Sequence, residues 1–318
     1  MTVPAIETEK LTKEYPYGFL NLKKKTSLEN LTMQVEAGEV FGFLGPNGAG
    51  KSTTIKLLMG LIFPTSGTAR LLGKPTSDIE MHRDIGYLPE QPYFYDYLTA
   101  AEVLDYFAKF YDLSAVDRKD RVQRMLKKVG LETAGNIQLR KYSKGMLQRV
   151  GLAQAILHDP QLVILDEPMS GLDPVGRREV RDIILELKSS GKTILFSTHI
   201  LSDAEMLCDR VGVIVSGKLQ GVGAPGELVG VQTQKMEILF SLAGTQNTVR
   251  LLAHAARTGD RYRLELPEAE LYPALDQLRD AGAKILSVAQ VKPSLEEYFM
   301  HLVSADRAQA SAVEVSGK

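Results

Sequence analysis

The sequence has little of what several classes of protein require. Its one cysteine, Cys208, cannot form an internal disulfide bond, which fits a reducing compartment. The five histidines are scattered and form no cluster with the spacing of a metal site. No apolar run approaches the ~18 residues of a membrane span, and the first residues lack the apolar core of a signal peptide. We therefore expect a soluble, cytoplasmic protein.

A surplus of charge of either sign is also missing. The formal net charge is −1, so the composition gives no support for nucleic acid as a partner, and none is expected. With 44% hydrophobic and 24% charged residues, the composition is that of an ordinary globular protein. A length of 318 residues allows one large domain and a smaller one.

The sequence does contain a glycine-rich segment, residues 45–53, with the spacing G-x-x-x-x-G-K-[ST] of a phosphate-binding loop. It follows an apolar run, residues 40–44, that predicts a buried strand, and it leads into a predicted helix at residues 52–58. Its glycines let successive N–H groups curl around an anion, and the helix N-terminus adds partial positive charge. Lys51 can reach the outer phosphates, and the Ser52 hydroxyl can bind Mg²⁺. The residues predicted to hold the nucleoside triphosphate are Gly45, Pro46, Asn47, Gly48, Ala49, Gly50, Lys51, Ser52 and Thr53.

The rest of the first 222 residues predicts an α/β domain around this loop. Apolar runs at 162–165, 193–197 and 211–215 alternate with helical patterns, which predicts a mostly parallel sheet covered on both faces. Residues 5–40 predict an N-terminal antiparallel β part with an aromatic loop at 15–19, and a further strand is expected to end at Gln91. Helical spacing over about residues 92–157 predicts a helical insertion.

The chain beyond residue 222 predicts a second, smaller domain. A glycine- and proline-rich break indicates a linker at 223–232, followed by a small α/β domain at 233–303 with a helix near 247–257. The last helix is expected to begin with a capping box formed by Ser294 and Glu297. Residues 304–318 are predicted to be disordered.

Two acids, Asp166 and Glu167, directly follow the apolar strand at 162–165. Ligands of doubly wound sheets bind at the carboxyl ends of strands, so these acids can lie beside the phosphate loop. We expect Asp166 to hold Mg²⁺ and Glu167 to act as the general base for the attacking water. His199 follows another strand and could donate a hydrogen bond to the γ-phosphate. Capping of the next segment by the two acids is the structural alternative.

A second anion site is predicted at residues 142–149, Y-S-K-G-M-L-Q-R, where a Ser/Gly turn opens a helix. The alternative is a plain N-cap by Ser143. The turn S-G-L-D-P, residues 170–174, comes directly after the two acids.

Together these segments resemble the ATP-binding cassette (ABC) family over about residues 5–222. The corresponding motifs are Walker A (45–53), the Q-loop (Gln91), the signature (142–149), Walker B (162–168), the D-loop (170–174) and the H-loop (His199). The resemblance implies a P-loop NTPase fold, ATP and Mg²⁺ as cofactors, and a head-to-tail dimer of two copies.

The resemblance also implies roles for individual residues. Tyr15 is expected to stack on adenine, with Tyr17 as a near alternative, and Gln91 to bind the metal and link its site to the helical insertion. Ser143 and Gly145 are expected to contact the γ-phosphate of ATP bound to the opposite subunit, and Asp173 is also assigned to nucleotide binding.

The signature departs from the usual L-S-G-G-Q of the family. The three replaced positions are occupied by Tyr142, Lys144 and Met146, whereas Ser143 and Gly145 are retained. We therefore expect activity.

The C-terminal domain and the helix beginning at residues 294–299 resemble ATPase subunits of bacterial ABC-2 type exporters. The resemblance implies an ATP hydrolase, peripheral on the inner face of the cell membrane, that powers export through a separate membrane permease. The aromatic group after Gln91, comprising Tyr93, Phe94, Tyr95 and Tyr97, is a candidate contact with that partner, although burial in the helix core is an equal alternative. An importer subunit, and an ABC ATPase acting on ribosomes or DNA, are the alternative functions.

Overall fold

The computed structural model describes residues 3–17, 23–111, 113–229, 235–242, 255–291 and 295–316. The chain divides into two units: Met1–Leu228 with Phe299–Lys318, and Val229–Tyr298. Within the described residues, no helix combines the length and the apolar character needed to cross a membrane.

The first unit contains an antiparallel sheet with the strand order β2-β1-β4-β5. Its strands are β1 (Ile6–Tyr17), β2 (Lys23–Val35), β4 (Ser66–Leu71) and β5 (Lys74–Pro75). The predicted antiparallel part is confirmed. The predicted aromatic loop is wrong for residues 15–17, because these residues pair with residues 23–25 at the end of β1. Its remaining residues, 18 and 19, lie outside the described part of the chain.

The second sheet of this unit has the order β10-β9-β3-β8-β7-β6. Its strands are β3 (Val40–Leu44), β6 (Ile85–Leu88), β7 (Leu162–Leu165), β8 (Thr193–Thr198), β9 (Arg210–Val215) and β10 (Lys218–Gly223). All neighbouring pairs are parallel except β9 and β10. Every residue of β3, β7 and β8 is buried, as expected for a sheet covered on both faces. The predicted mostly parallel sheet is confirmed.

Helices cover this sheet and form the predicted insertion. They are α1 (Lys51–Leu58), α2 (Ala100–Ala108), α3 (Ala115–Lys128), α4 (Lys144–Ile156), α5 (Pro174–Ser189) and α6 (Leu201–Leu207). The insertion consists of α2, α3 and α4, which begin after the capping side chains of Thr99, Ser114 and Ser143. Their apolar faces share one core, which includes Leu104, Leu126 and Val150.

Two glycines bring α4 directly onto strand β6. A Cβ atom built on Gly86 of β6 would lie 2.1 Å from the carbonyl oxygen of Ala155 in α4. A Cβ atom built on Gly151 of α4 would lie 2.6 Å from Leu88 and 3.1 Å from Pro92. Helix and strand therefore meet at backbone distance, with no room for a side chain at either position.

The second unit contains an antiparallel sheet with the order β12-β13-β11-β14. Its elements are β11 (Lys235–Leu242), β12 (Ala255–Thr258), β13 (Arg261–Pro267), α8 (Leu271–Asp280) and β14 (Ala283–Val291). The core includes Ile238, Phe240 and Leu264 from the sheet and Ala274 and Leu278 from the helix. The predicted small α/β domain is confirmed in its fold class.

Three details of the C-terminal prediction differ from the structure. Residues 255–257, expected in a helix, form β12, because they pair with β13. The guanidinium carbon of Arg257 in β12 lies 5.6 Å from the ring centroid of Tyr262 in β13. The expected linker contains a short helix, α7 (Pro225–Leu228). Residues 304–316, expected to be disordered, belong to α9 (Leu295–Ser316), where frequent alanines favour the helix. Residues 243–254 and the predicted cap Ser294 lie outside the described residues.

Candidate functional site

The phosphate loop connects β3 to α1, as predicted. Gly48 and Gly50 have positive φ values of 80° and 110°, a backbone region that glycine enters without strain. A Cβ atom on Gly45 would lie 2.5 Å from the carbonyl oxygen of Ile214, so the loop can approach β9 this closely only with glycine. The Lys51 ammonium folds back over the loop and donates to the carbonyl oxygens of Gly45, at 2.8 Å, and Pro46, at 3.3 Å.

The two predicted acids lie where β7 ends, and Asp166 connects to the phosphate loop. One of its carboxylate oxygens accepts from the Ser197 hydroxyl at 2.7 Å and from the Ser52 hydroxyl at 3.4 Å. Both Asp166 and Glu167 are buried. Next to Asp166, the pKa of Tyr87 is raised to about 12 by burial and, secondarily, by the Asp166 charge, so the tyrosine stays neutral at physiological pH.

Glu167 lies between the other two predicted catalytic groups. One carboxylate oxygen is 3.2 Å from the Lys51 ammonium, and the other is 2.8 Å from Nδ1 of His199. The backbone of Glu167 has a φ of 49°, a left-handed conformation that costs energy for a residue with a Cβ atom. Its backbone N–H donates to the Ser197 hydroxyl at 2.9 Å, which fixes this turn. The structure thus brings Lys51, Glu167 and His199 together.

A cavity of about 320 Å³ opens over these groups. Its lining residues are Ser27, Pro46, Asn47, Gly48, Gly50, Lys51, Ser52, Thr53, Glu90, Glu167, Ser170 and His199. We call it the phosphate-loop cavity. Most of the predicted phosphate-binding residues line it, and Gly45 and Ala49 are buried within the loop.

Sequence reasoning missed three polar residues of this site. Ser197 links Asp166 to the backbone of Glu167, and Ser27 reaches the cavity from the distant strand β2. Glu90 lines the cavity, whereas the predicted Gln91 is exposed and does not line it. Strand β6 ends at Leu88, earlier than predicted, and an acid so close to a strand end was an available sequence signal for Glu90.

A second cavity, of about 360 Å³, lies at the N-termini of α4 and α5. Its lining residues are Ser143, Lys144, Gly145, Arg149, Gly171, Leu172, Asp173, Val175, Gly176 and Glu179, and we call it the signature cavity. The Ser143 hydroxyl caps α4 by accepting from the N–H of Met146 at 3.2 Å. Asp173 caps α5 by accepting from the N–H of Gly176 at 2.7 Å. The predicted residues Ser143, Gly145 and Asp173 therefore lie together, in a cavity that shares no lining residue with the phosphate-loop cavity.

The unusual signature residues have separate surroundings. Tyr142 is buried, and its hydroxyl donates to the carbonyl oxygen of Ala134 at 2.7 Å. Met146 packs against the core of the insertion. Lys144 is exposed and extends over Gly171, whose φ is 70°. Tyr142 and Met146 thus pack within the insertion, and of the three replaced residues only Lys144 lines the signature cavity.

The predicted adenine-stacking residue, Tyr15, is partly exposed on β1 and does not line the phosphate-loop cavity. The Lys13 ammonium lies 5.1 Å from the centroid of its ring. The Tyr17 side chain lies outside the described part of the structure.

The aromatic residues of the insertion form a surface with a small apolar cavity of about 200 Å³. The lining residues are Tyr93, Phe94, Tyr95, Leu98, Val103, Tyr106 and Phe107, and we call it the aromatic surface. Tyr93 is 92% exposed, whereas Phe94 packs edge-on against Phe107.

Comparisons with known proteins identify the family. Residues 28–170 match the family model described as ABC transporter. An ABC transporter ATP-binding protein of Synechocystis sp. is 43% identical over 297 residues, which cover 93% of this chain and 83% of the relative. The bacitracin transport ATP-binding protein BcrA of Bacillus licheniformis is 37% identical, covering 94% of this chain and 97% of the relative.

A solved ATP-binding subunit of an ABC transporter is 34% identical, with a TM-score of 0.62, covering 70% of this chain and 91% of that one. A dimeric ATP-binding cassette in a post-hydrolysis state, bound to ADP and Pi, is 26% identical with a TM-score of 0.64, covering 69% of this chain and 98% of that one. The chain belongs to the family of ABC transporter ATP-binding proteins.

The predictions of a P-loop NTPase fold and of a transport-coupled ATP hydrolase that binds ATP and dimerises are confirmed. BcrA and the linearmycin resistance ATP-binding protein LnrL of Bacillus subtilis support the predicted resemblance to ABC-2 type exporters.

Proposed function

We propose that this subunit hydrolyses Mg·ATP between two head-to-tail copies to power export through a separate permease. The observation that carries the proposal is the cluster of Lys51, Glu167 and His199 in the phosphate-loop cavity. A buried cation over a glycine-rich loop suits a triphosphate, and a carboxylate beside it suits activation of water.

The residues present also fit a magnesium ion. The Ser52 hydroxyl and the Asp166 carboxylate are oxygen ligands of the kind Mg²⁺ prefers, and they already lie 3.4 Å apart. Glu90 lines the same cavity, and Gln91 is the residue that the family resemblance assigns to the metal. When bound, the ion neutralises negative charge on the phosphates.

The ion pair between Lys51 and Glu167 suggests how binding prepares catalysis. A triphosphate in the cavity attracts the Lys51 ammonium away from Glu167, since its negative charge is larger than that of one carboxylate. The released carboxylate of Glu167 then accepts a proton from the attacking water as the water oxygen bonds to the γ-phosphorus. The bond from that phosphorus to the bridging oxygen breaks, and ADP is the leaving group. His199 holds the other carboxylate oxygen through Nδ1, and its second ring nitrogen, Nε2, would donate to the γ-phosphate.

The separation of the two cavities supports a composite site. Ser143, Gly145 and Asp173 line the signature cavity and Lys51 lines the phosphate-loop cavity, with no lining residue in common. We therefore infer that the phosphate-loop cavity of one copy meets the signature cavity of a second copy across the nucleotide, in line with the dimeric cassette that is similar to this chain. N–H groups at the start of α4 would meet the outer phosphates of the nucleotide.

The head-to-tail arrangement can be tested by mixing two defective variants, both carrying Glu167→Gln to prevent turnover. Lys51→Met removes the phosphate-loop cation, and Ser143→Asp keeps a good N-cap while placing a negative charge against the triphosphate. Neither variant alone should form ATP-stabilised dimers. The mixture should form them with about one ATP per dimer, since one intact site is assembled from two chains. Failure of the mixture, with wild-type controls positive, would contradict the composite site.

The aromatic surface is the proposed contact with the permease, and it would hold the subunit on the inner face of the membrane. Large exposed aromatic rings around an apolar cavity suit an apolar protein segment. Co-purification of the permease from detergent-solubilised membranes should fall several-fold in Tyr93→Ser/Tyr95→Ser. The matched control is Tyr272→Ser, which removes a ring that is 75% exposed in the second unit. Equal recovery in both variants would remove this surface from the proposal.

A further inference from the structure

The Ser27 hydroxyl, which belongs to none of the nucleotide-binding motifs, lies 2.9 Å from the Thr53 hydroxyl. Ser27 is part of β2 and Thr53 is in the first turn of α1, and both line the phosphate-loop cavity. Both residues are only partly buried, so their hydroxyl pair borders the space where the nucleotide binds.

The backbone holds Ser27 against the phosphate loop at several points. A Cβ atom on Gly50 would lie 2.6 Å from the carbonyl oxygen of Ser27, and one on Gly217 would lie 2.9 Å from the same atom. The N–H of Gly217 donates to the Ala49 carbonyl at 2.9 Å, and the Gly217 carbonyl accepts from the N–H of Glu29 at 2.8 Å. This packing fixes the Ser27 backbone beside the phosphate loop, and the contact with Thr53 places its hydroxyl.

The neighbouring hydroxyl, that of Thr54, has a different use. It donates back to the Gly50 carbonyl at 3.0 Å, which occupies its single proton within the helix. Each hydroxyl carries one proton and can also accept. If Ser27 donates to Thr53, the proton of Thr53 is free to point into the cavity.

We propose that Ser27 is a positioning residue for the nucleotide, resting on the function proposed above. Its hydroxyl donates to Thr53, so that the Thr53 hydroxyl donates to an oxygen of the bound triphosphate. A hydrogen bond to a charged oxygen is stronger than one between neutral groups, and a donor in line behind it strengthens it further. The pair thus acts as a two-step donor toward the phosphates.

The test is a double-mutant cycle on ATP affinity, measured by titration of the full chain with Mg·ATP. Ser27→Ala should weaken binding by about three- to tenfold, the range of one ordinary hydrogen bond. Thr53→Val should weaken it more, and the double variant should bind as Thr53→Val does, since Ser27 acts through Thr53. Ser27→Thr, which keeps the hydroxyl on a residue suited to a strand, should bind ATP with wild-type affinity.

Three results would overturn the proposal while leaving ATP binding by the wild type intact. They are unchanged affinity in Ser27→Ala, losses that multiply in the double variant, and a loss that disappears with 2′-deoxy- or 3′-deoxy-ATP. The last result would mean that Ser27 contacts the ribose. Thermal unfolding without nucleotide separates a folding defect from a binding defect. If the wild type itself binds no Mg·ATP, the proposed function fails instead.

Discussion

The phosphate-loop cavity and the signature cavity belong to the same unit but are built differently. In the first, the charged groups are buried, since Lys51, Asp166 and Glu167 are all less than 10% exposed. The Lys51 ammonium pairs with Glu167, and the Ser197 hydroxyl joins Asp166 to the Glu167 backbone. In the second, helix caps and exposed charges dominate, and Lys144 is exposed over a glycine turn. The difference fits the proposal that buried groups of one chain act on the phosphates, whereas the signature cavity receives the nucleotide bound by a second copy.

The largest effect should come from replacing one glutamate by glutamine in each of the two cavities. Glu167→Gln should lower steady-state ATP hydrolysis by about 10²- to 10⁴-fold, the usual contribution of a general base, while ATP binding persists. Glu179→Gln alters the ion pair between the half-exposed Glu179 and the mostly buried Arg149 in the signature cavity. It should change hydrolysis by less than about threefold, because neither side chain lines the phosphate-loop cavity. Comparable losses of ATP hydrolysis in the two variants would remove Glu167 from its assigned role and would contradict the distinction between the two cavities.

The next effect concerns the attachment of the signature helix. Gly86→Ala places a methyl group against the Ala155 carbonyl, so it should destabilise the unit by about 3 kcal/mol and displace α4. ATP binding to single chains should survive, but ATP-driven dimerisation should weaken. The measurements are urea unfolding and light scattering. The control is Gly226→Ala, which adds the same methyl group to an exposed helical position with nothing within 4 Å. A neutral Gly86→Ala variant would show that α4 tolerates displacement from β6.

A smaller effect should distinguish two adjacent residues beside the metal position. Glu90→Ala should raise the Mg²⁺ concentration for half-maximal hydrolysis about tenfold, because Glu90 lines the phosphate-loop cavity. Gln91→Ala should raise it by less than about twofold, since Gln91 does not line the cavity. The opposite ranking would favour the assignment that the family resemblance gives to Gln91.

The smallest effect is a pH dependence at the far end of α4. His158 stacks on Tyr111, its Nε2 lies 3.1 Å from the Ile85 carbonyl, and burial lowers its pKa. A lowered pKa means that folding favours the neutral ring, so the stabilisation is complete above about pH 6.5 and is lost as pH falls toward the folded-state pKa. The free energy of unfolding should therefore fall more steeply below pH 6.5 in the wild type than in His158→Phe. Parallel curves would assign the acid sensitivity to other groups.

The features that could be predicted from the sequence are those fixed locally. The phosphate loop is defined by glycine positions between a strand and a helix, and Ser143 and Asp173 cap the helices that directly follow them. The acids after β7 could be placed because the carboxyl ends of parallel strands share one edge of the sheet.

The features that sequence reasoning missed depend on neighbours distant in the chain. Ser197 joins the site because β8 lies next to β7, and Ser27 because β2 packs against the phosphate loop. The choice between Glu90 and Gln91 depends on the bend that follows β6, because the strand ends at Leu88 and both residues lie beyond it. In the second unit, β12 exists because β13 offers it a partner, which no local propensity reveals.

The backbone contact between Gly86 and Ala155 has a mechanical consequence. Strand β6 leads to Glu90 at the phosphate-loop cavity, and the same strand bears on α4, whose first turn carries Ser143. Because the Gly86 backbone lies directly against the Ala155 backbone, we expect a displacement of β6 at this point to move α4 with it. Substitutions at the contact between Gly86 and Ala155 should therefore change the rate of ATP hydrolysis although they touch no reacting group.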